Sequence, residues 1–174
     1  MAPEAAVEEA EALLQRGFKG IKLRLGYSDL AGDLAVTRAV RARIPDDVEI
    51  FVDYNQALDL PEAFKRGLAL EHEGVAWPEE PIRHDDLVGY SRLTGKLTLP
   101  VQIGENLEGP GQMAQAVRAP ACDFVMPDYA RIGGVTRSVQ TAGIAAAEGI
   151  PMSSHLLPRG QRASAGSDAD GALA

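Results

Sequence analysis

The sequence predicts an α/β fold with a parallel sheet, specifically a (β/α) barrel, and three observations carry that prediction. Six short β-rich apolar runs alternate with helix-like segments as far as residue 158. Between these runs stand no Asn-Gly or Asp-Gly hairpin signals, and strands that always return through a helix must run parallel. In the first run, GIKLRL, the two-residue period of a strand puts Ile21, Leu23 and Leu25 on one face and Lys22 and Arg24 on the other. Two cations would be prohibitive inside the apolar layer of an open doubly wound sheet but are reasonable at the mouth of a barrel. Neither a Gly-rich dinucleotide fingerprint nor a P-loop is present to favour the open sheet.

The elements follow in order from local signals. Pro3 opens a first helix and Gly17 closes it, ahead of the strand Gly20–Leu25. Ser28 or Asp29 caps a second helix that ends near Ile44, and Glu49–Asp53 is the second strand. Asp59 and Glu62 form a D-x-x-E capping box with Pro61 just inside, Gly74 follows the last turn, and Val75–Glu79 is the third strand. Val101–Gly104 and Phe124–Met126 read as strands around a short helix bracketed by Pro110 and Pro120. A helix from about Val135 to Glu148 closes at Gly149, and Pro151–His155 is the sixth strand. From Arg159 the chain carries no aromatic and no β-branched residue, so residues 1–158 are read as the folded domain and 159–174 as a disordered tail.

Composition excludes several functions. The 174 residues carry a net charge of −8, which repels phosphate backbones and anionic membranes, and no run of 18 apolar residues occurs. Nucleic acid and membrane are therefore not expected partners. The N-terminus is acidic where a signal peptide would be basic, and the lone Cys122 excludes both a disulfide framework and a cysteine zinc site. A cytoplasmic protein is the expectation.

The chemistry-bearing residues recur with the strands. Asp53, Glu79, Glu105, Asp128 and His155 stand at the C-terminal ends of successive strands, at intervals of 26, 26, 23 and 27 residues. Barrel enzymes keep their active sites at that rim. Asp53, Glu79 and Glu105 supply the hard oxygen ligands that Mg²⁺ prefers. Trp77, two residues before Glu79, shares its face and either lines the site or fills the barrel, while Arg131 reads as a solvated rim arginine.

Five motifs taken together resemble a known family: VDYNQ at 52–56, EEP at 79–81, GEN at 104–106, MPD with IGGVT at 126–136, and PMSSHL at 151–156. They resemble the enolase superfamily, within it the mandelate racemase and muconate lactonizing enzyme group, and most nearly the mandelate racemase pattern. The resemblance implies a barrel domain with Mg²⁺ held by Asp53, Glu79 and Glu105. It implies that Asn55 hydrogen-bonds near the substrate, that Lys22 contacts a substrate carboxylate, and that His155 with Asp128 forms a catalytic His–Asp dyad. The implied reaction is abstraction of the α-proton of a 2-hydroxy carboxylate, leading to racemisation. Where the family's K-x-K strand carries its second lysine as a second base, this chain has Arg24. Arginine is effectively never deprotonated, so one-base dehydration of an acid sugar by His155 is the alternative. Arg24 then serves as a second carboxylate anchor.

Against the family's eight strands, the resemblance reads the chain as a partial TIM-type barrel of about six parallel strands, the second to the seventh. On that reading the capping domain and the closing strands are absent, and the product is truncated or frame-shifted. The open barrel edges would then invite homo-oligomerisation and leave a marginally stable, non-catalytic fragment as a further alternative.

Overall fold

The computed structural model describes residues 2–155, and the chain divides into two compact units. The reading of 159–174 as a disordered tail falls outside the described residues. Among the described residues the first unit comprises 2–83 with Leu97–Leu99, and the second comprises His84–Lys96 with 100–155.

The first unit runs α1 (Pro3–Gln15), β1 (Gly20–Arg24), α2 (Leu30–Arg41), β2 (Glu49–Asp53), α3 (Leu60–Leu70) and β3 (Val75–Glu79). Asp29 caps α2 by accepting from the Gly32 amide, and Asp59 caps α3 by accepting from the Glu62 amide. The expected reciprocal capping box at α3 is only half formed. The Glu62 carboxylate turns away from the cap to accept from Lys65 at 2.9 Å and Arg66 at 3.0 Å, because two cations outbid one neutral amide. The strands are parallel, with β1 and β2 in register from Gly20↔Glu49 to Arg24↔Asp53. β2 and β3 shift register between Ile50 and Phe51 and then run in step to Asp53↔Glu79. Ile21, Leu23, Ile50 and Val52 pack with Val36, Val40 and Leu70 into one apolar cluster. On the other face Phe51 and Trp77 stack with ring centroids 4.0 Å apart, so Trp77 fills space beside its strand neighbour.

The second unit runs α4 (Leu87–Thr94), β4 (Gln102–Ile103), α5 (Gly109–Arg118), β5 (Phe124–Val125), α6 (Tyr129–Ile132) and α7 (Gly134–Ala147). β4 and β5 pair in parallel. Gly104 ends β4 at φ +133°, and a Cβ there would stand 3.0 Å from the Met126 amide nitrogen, so only glycine lets the two strand ends approach so closely. The expected sixth strand, Pro151–His155, is reduced to two parallel bridges, Val125↔Met152 and Asp128↔His155. β5 itself runs only Phe124–Val125, and Pro127, which has no amide hydrogen to give to a ladder, stands between the two bridges. Among the described residues, no helix is long and apolar enough to cross a membrane.

The core of the first unit makes a direct test. Leu70 is fully buried and Leu68, on the same helix, is 51% exposed. Leu70→Ala should lower the unfolding free energy by about 2–5 kcal/mol, and Leu68→Ala should stay within about 0.5 kcal/mol, as read by urea denaturation.

Candidate active site

At the C-terminal ends of β1 to β3, two cations meet two buried carboxylates. Lys22 and Arg24 stand on the face of β1 opposite its buried Ile21 and Leu23. Asp53 and Glu79 are register partners and are only 2% and 1% exposed. The Lys22 ammonium lies 3.0 and 3.1 Å from the two Glu79 oxygens and 3.4 Å from Asp53 Oδ2. Arg24 Nη2 approaches the same Asp53 oxygen at 3.4 Å. Adjacent buried carboxylates repel and resist desolvation unless positive charge offsets them. The Lys22 ammonium bridges both, so this pair of hard oxygen donors is built around a cation and its chemistry fits Mg²⁺.

The backbone beyond β2 is strained where the carboxylates leave it. Asn55 and Gln56 take φ of 44° and 63°, and Glu80, fully buried beyond β3, takes 37°. Such left-handed non-glycine residues cost free energy and persist only where neighbours over-determine them. Here the Asn55 amide donates to Asp53 Oδ1 at 2.8 Å and the Gln56 amide donates to the Glu80 carbonyl at 2.7 Å. The first bond aims the Asp53 carboxylate as well as holding the turn. Asn55 itself is exposed at the tip of that turn.

The second unit carries a cluster centred on His155. Asp128 is the N-cap of α6, where its Oδ1 accepts from the Ala130 and Arg131 amides at 2.9 Å each. Its other oxygen lies 3.0 Å from His155 Nδ1, and His155 Nε2 lies 2.8 Å from Glu105 Oε2. Burial works to raise the Asp128 carboxyl. The Arg131 amide, the His155 ring and the Ala130 amide together outweigh it and hold the group below its ordinary value of 3.8. Both ring nitrogens of His155 thus face carboxylates, Nδ1 that of Asp128 and Nε2 that of Glu105. Asn106 Nδ2 donates to Glu105 Oε1 at 3.0 Å, and the Arg131 guanidinium donates to Asn106 Oδ1. Arg131, read from sequence as simply solvated, is therefore exposed yet engaged. Its spacing of three from Asp128 was visible, but its partner Asn106 is 25 residues away. Cys122 is buried, and burial with the nearby Asp123 charge pushes its thiol up to about 12, consistent with packing rather than chemistry.

The chain matches the family described as enolase C-terminal domain-like over residues 5–168. An L-talarate/galactarate dehydratase of Salmonella typhimurium is 33% identical over 142 residues, 82% of this chain and 36% of that protein. A crystal structure of an enolase from alpha proteobacterium bal199 with bound magnesium superposes at TM-score 0.90 and 43% identity, covering 94% of this chain and 46% of that one. An enolase from Bradyrhizobium complexed with magnesium and mandelic acid superposes at TM-score 0.83 and 38% identity, covering 87% and 44%. Other relatives bear racemase, epimerase and cycloisomerase names. The chain thus spans less than half the length of the relatives it matches.

The Asp128 environment has a signed pH consequence. A carboxyl held lower in the folded chain than in the unfolded one adds stability above the unfolded value, and that stability fades as pH falls through the folded value. Unfolding free energy should therefore drop on acidification below about pH 4, and the drop should be shallower in Asp128→Asn. Superimposable pH profiles for the two proteins, followed by circular dichroism, would refute the assignment.

Proposed function

The chain belongs to the enolase C-terminal domain-like family, and from that premise we propose that it bears the metal ligands and the base of a Mg²⁺-dependent enzyme that abstracts the α-proton of a 2-hydroxy carboxylate. The observation that carries the reading is the His155–Asp128 pair at 3.0 Å, with the other ring nitrogen, Nε2, 2.8 Å from Glu105, one of the proposed ligands. Asp53, Glu79 and Glu105 are the proposed ligands, in keeping with their oxygen chemistry and with the magnesium in the solved relatives. When bound, the ion supplies positive charge against the negative charge that develops on the substrate carboxylate. Lys22 adds a second positive charge by donating to the same carboxylate, and Asn55 offers a neutral hydrogen bond beside it. His155 Nε2 takes the α-proton, while Asp128 fixes the tautomer and steadies the imidazolium that results. Localisation in the cytoplasm completes the reading, suited to an acidic chain with one cysteine.

Arg24 favours a one-base outcome. Operating an arginine as a neutral base at pH 7 costs roughly 7 kcal/mol or more, since its intrinsic value lies above 12. The structure has its guanidinium facing Asp53 beside Lys22, a position suited to anchoring an anion. We therefore favour dehydration, in which His155 removes the α-proton and returns it to the departing β-hydroxyl, over two-base racemisation.

Proton exchange in heavy water separates these outcomes. With Mg²⁺ present, the chain should exchange the α-proton from only one enantiomer of a 2-hydroxy acid such as mandelate, and should dehydrate galactarate or talarate, as followed by proton NMR. His155→Asn should reduce the exchange by about 10²–10⁴-fold while leaving the melting temperature near that of the parent. Exchange from both enantiomers would overturn the one-base reading. Absence of both exchange and any Mg²⁺-dependent rise in melting temperature would instead establish a non-catalytic piece.

A further inference from the structure

The first unit contains a buried ionic network that the proposed chemistry does not use. Asp33, on α2, has no exposed surface, and Arg66, on α3, is 4% exposed. Arg66 Nη1 donates to Asp33 Oδ2 at 2.7 Å, and the Tyr54 hydroxyl donates to the same oxygen at 3.1 Å. Asp33 Oδ1 accepts from the Gly26 and Tyr27 amides at 3.1 and 3.0 Å. Arg66 Nη1 also donates to the Tyr27 carbonyl at 3.0 Å, and its Nε donates to Glu62 at 3.0 Å. Burial and the charge of Asp33 both push the Tyr54 hydroxyl above its ordinary range, so it stays a neutral donor.

The destinations of these bonds are informative. Gly26 and Tyr27 form the loop that leaves β1 just beyond Lys22 and Arg24, and Tyr54 lies between Asp53 and the strained Asn55–Gln56 turn. One carboxylate thus ties together the loop after β1 and the turn after β2. A buried ion pair is weak evidence for stability, because apolar replacements of similar volume are often neutral or better. Its usefulness lies in direction: it holds two backbone segments at fixed places. The left-handed turn at 55–56 needs such over-determination, and the Tyr54 hydroxyl tether comes from the residue immediately before it.

We propose that Asp33, Arg66 and Tyr54 are positioning residues that act through the Gly26–Tyr27 loop and the Asp53–Gln56 turn to set the rim on which Lys22, Asp53 and Asn55 stand. The consequence for metal binding rests on the function proposed above. The consequence for the backbone does not. Partners that orient metal ligands typically cost about 10- to 100-fold in affinity when removed, although they touch no ion themselves.

Two variants of the full chain test this, Tyr54→Phe and the double replacement Asp33→Leu with Arg66→Met. Each is followed by thermal melting, by amide hydrogen exchange and by titration with Mg²⁺. Tyr54→Phe, which deletes only a hydroxyl, should melt cooperatively. It should exchange amides at 54–57 at least tenfold faster than the parent and bind Mg²⁺ about tenfold more weakly. The double replacement should keep a melting temperature near the parent's while losing protection at both 26–27 and 54–57 and losing Mg²⁺ affinity. A merely structural role predicts instead that protection and affinity return with the melting temperature. That result, or unchanged exchange at both segments in both variants, would overturn the proposal. If the parent chain takes up no Mg²⁺, the metal reading fails by itself and the exchange data alone decide the positioning role.

Discussion

Two carboxylates without solvent, side by side at the ends of β2 and β3, set the terms for the first unit. Asp53 and Glu79 are register partners, so their charges are forced together by the parallel ladder, and neither can relieve the repulsion through water. Positive charge must come to them. β1 brings it by the same ladder, because Arg24 is the register partner of Asp53 and Lys22 lies one step back on the same face. The Lys22 ammonium supplies it, within 3.4 Å of both carboxylates. Strand period and parallel register thus create an electrostatic demand and place the two β1 cations that meet it.

The second unit answers a similar demand by a different route. Asp128 gains its counter-partners from the first amides of α6 and from His155, and Glu105 gains His155 and Asn106. The polar contacts close on themselves: Arg131 to Asn106, Asn106 to Glu105, Glu105 to His155, His155 to Asp128, and Asp128 back to the Arg131 amide. A closed set of hydrogen bonds leaves the imidazole little freedom of orientation. The proton transfer proposed for His155 needs that fixity, since misplacement of an acid or base by even an ångström is costly in rate.

Chemistry and local strain coincide in the first unit. The left-handed residues Asn55, Gln56 and Glu80 follow the two carboxylate-bearing strands, whose own residues take no positive φ. The apolar cluster of Ile21, Ile50, Val52 and Leu70 is the stable part on which the strained rim is carried. The Asp33–Arg66–Tyr54 network sits between the two, joining helix faces that belong to the core with loops that belong to the rim.

Much of this was written in the sequence. The alternation of apolar runs and capped helices determined the α/β order, and five of the six expected strands stand within about a residue or two of their read bounds. The period of two determined that Lys22 and Arg24 share a face, and the regular spacing of acids and histidine marked the strand ends. These are local properties, governed by residues a few positions apart. What tertiary structure decided is who meets whom across elements: Asp33 with Arg66 and Tyr54, Asn106 with Arg131, and Glu62 with Arg66 instead of its own cap. A trace of the first pairing existed, since Asp33 lies on the buried stripe of α2 with Val36 and Val40, and Arg66 lies on that of α3 with Ala63 and Leu70. A charge on a buried stripe declares that it needs a partner. Which partner it finds depends on how helices and loops far apart in the chain come together, and no local pattern carries that information.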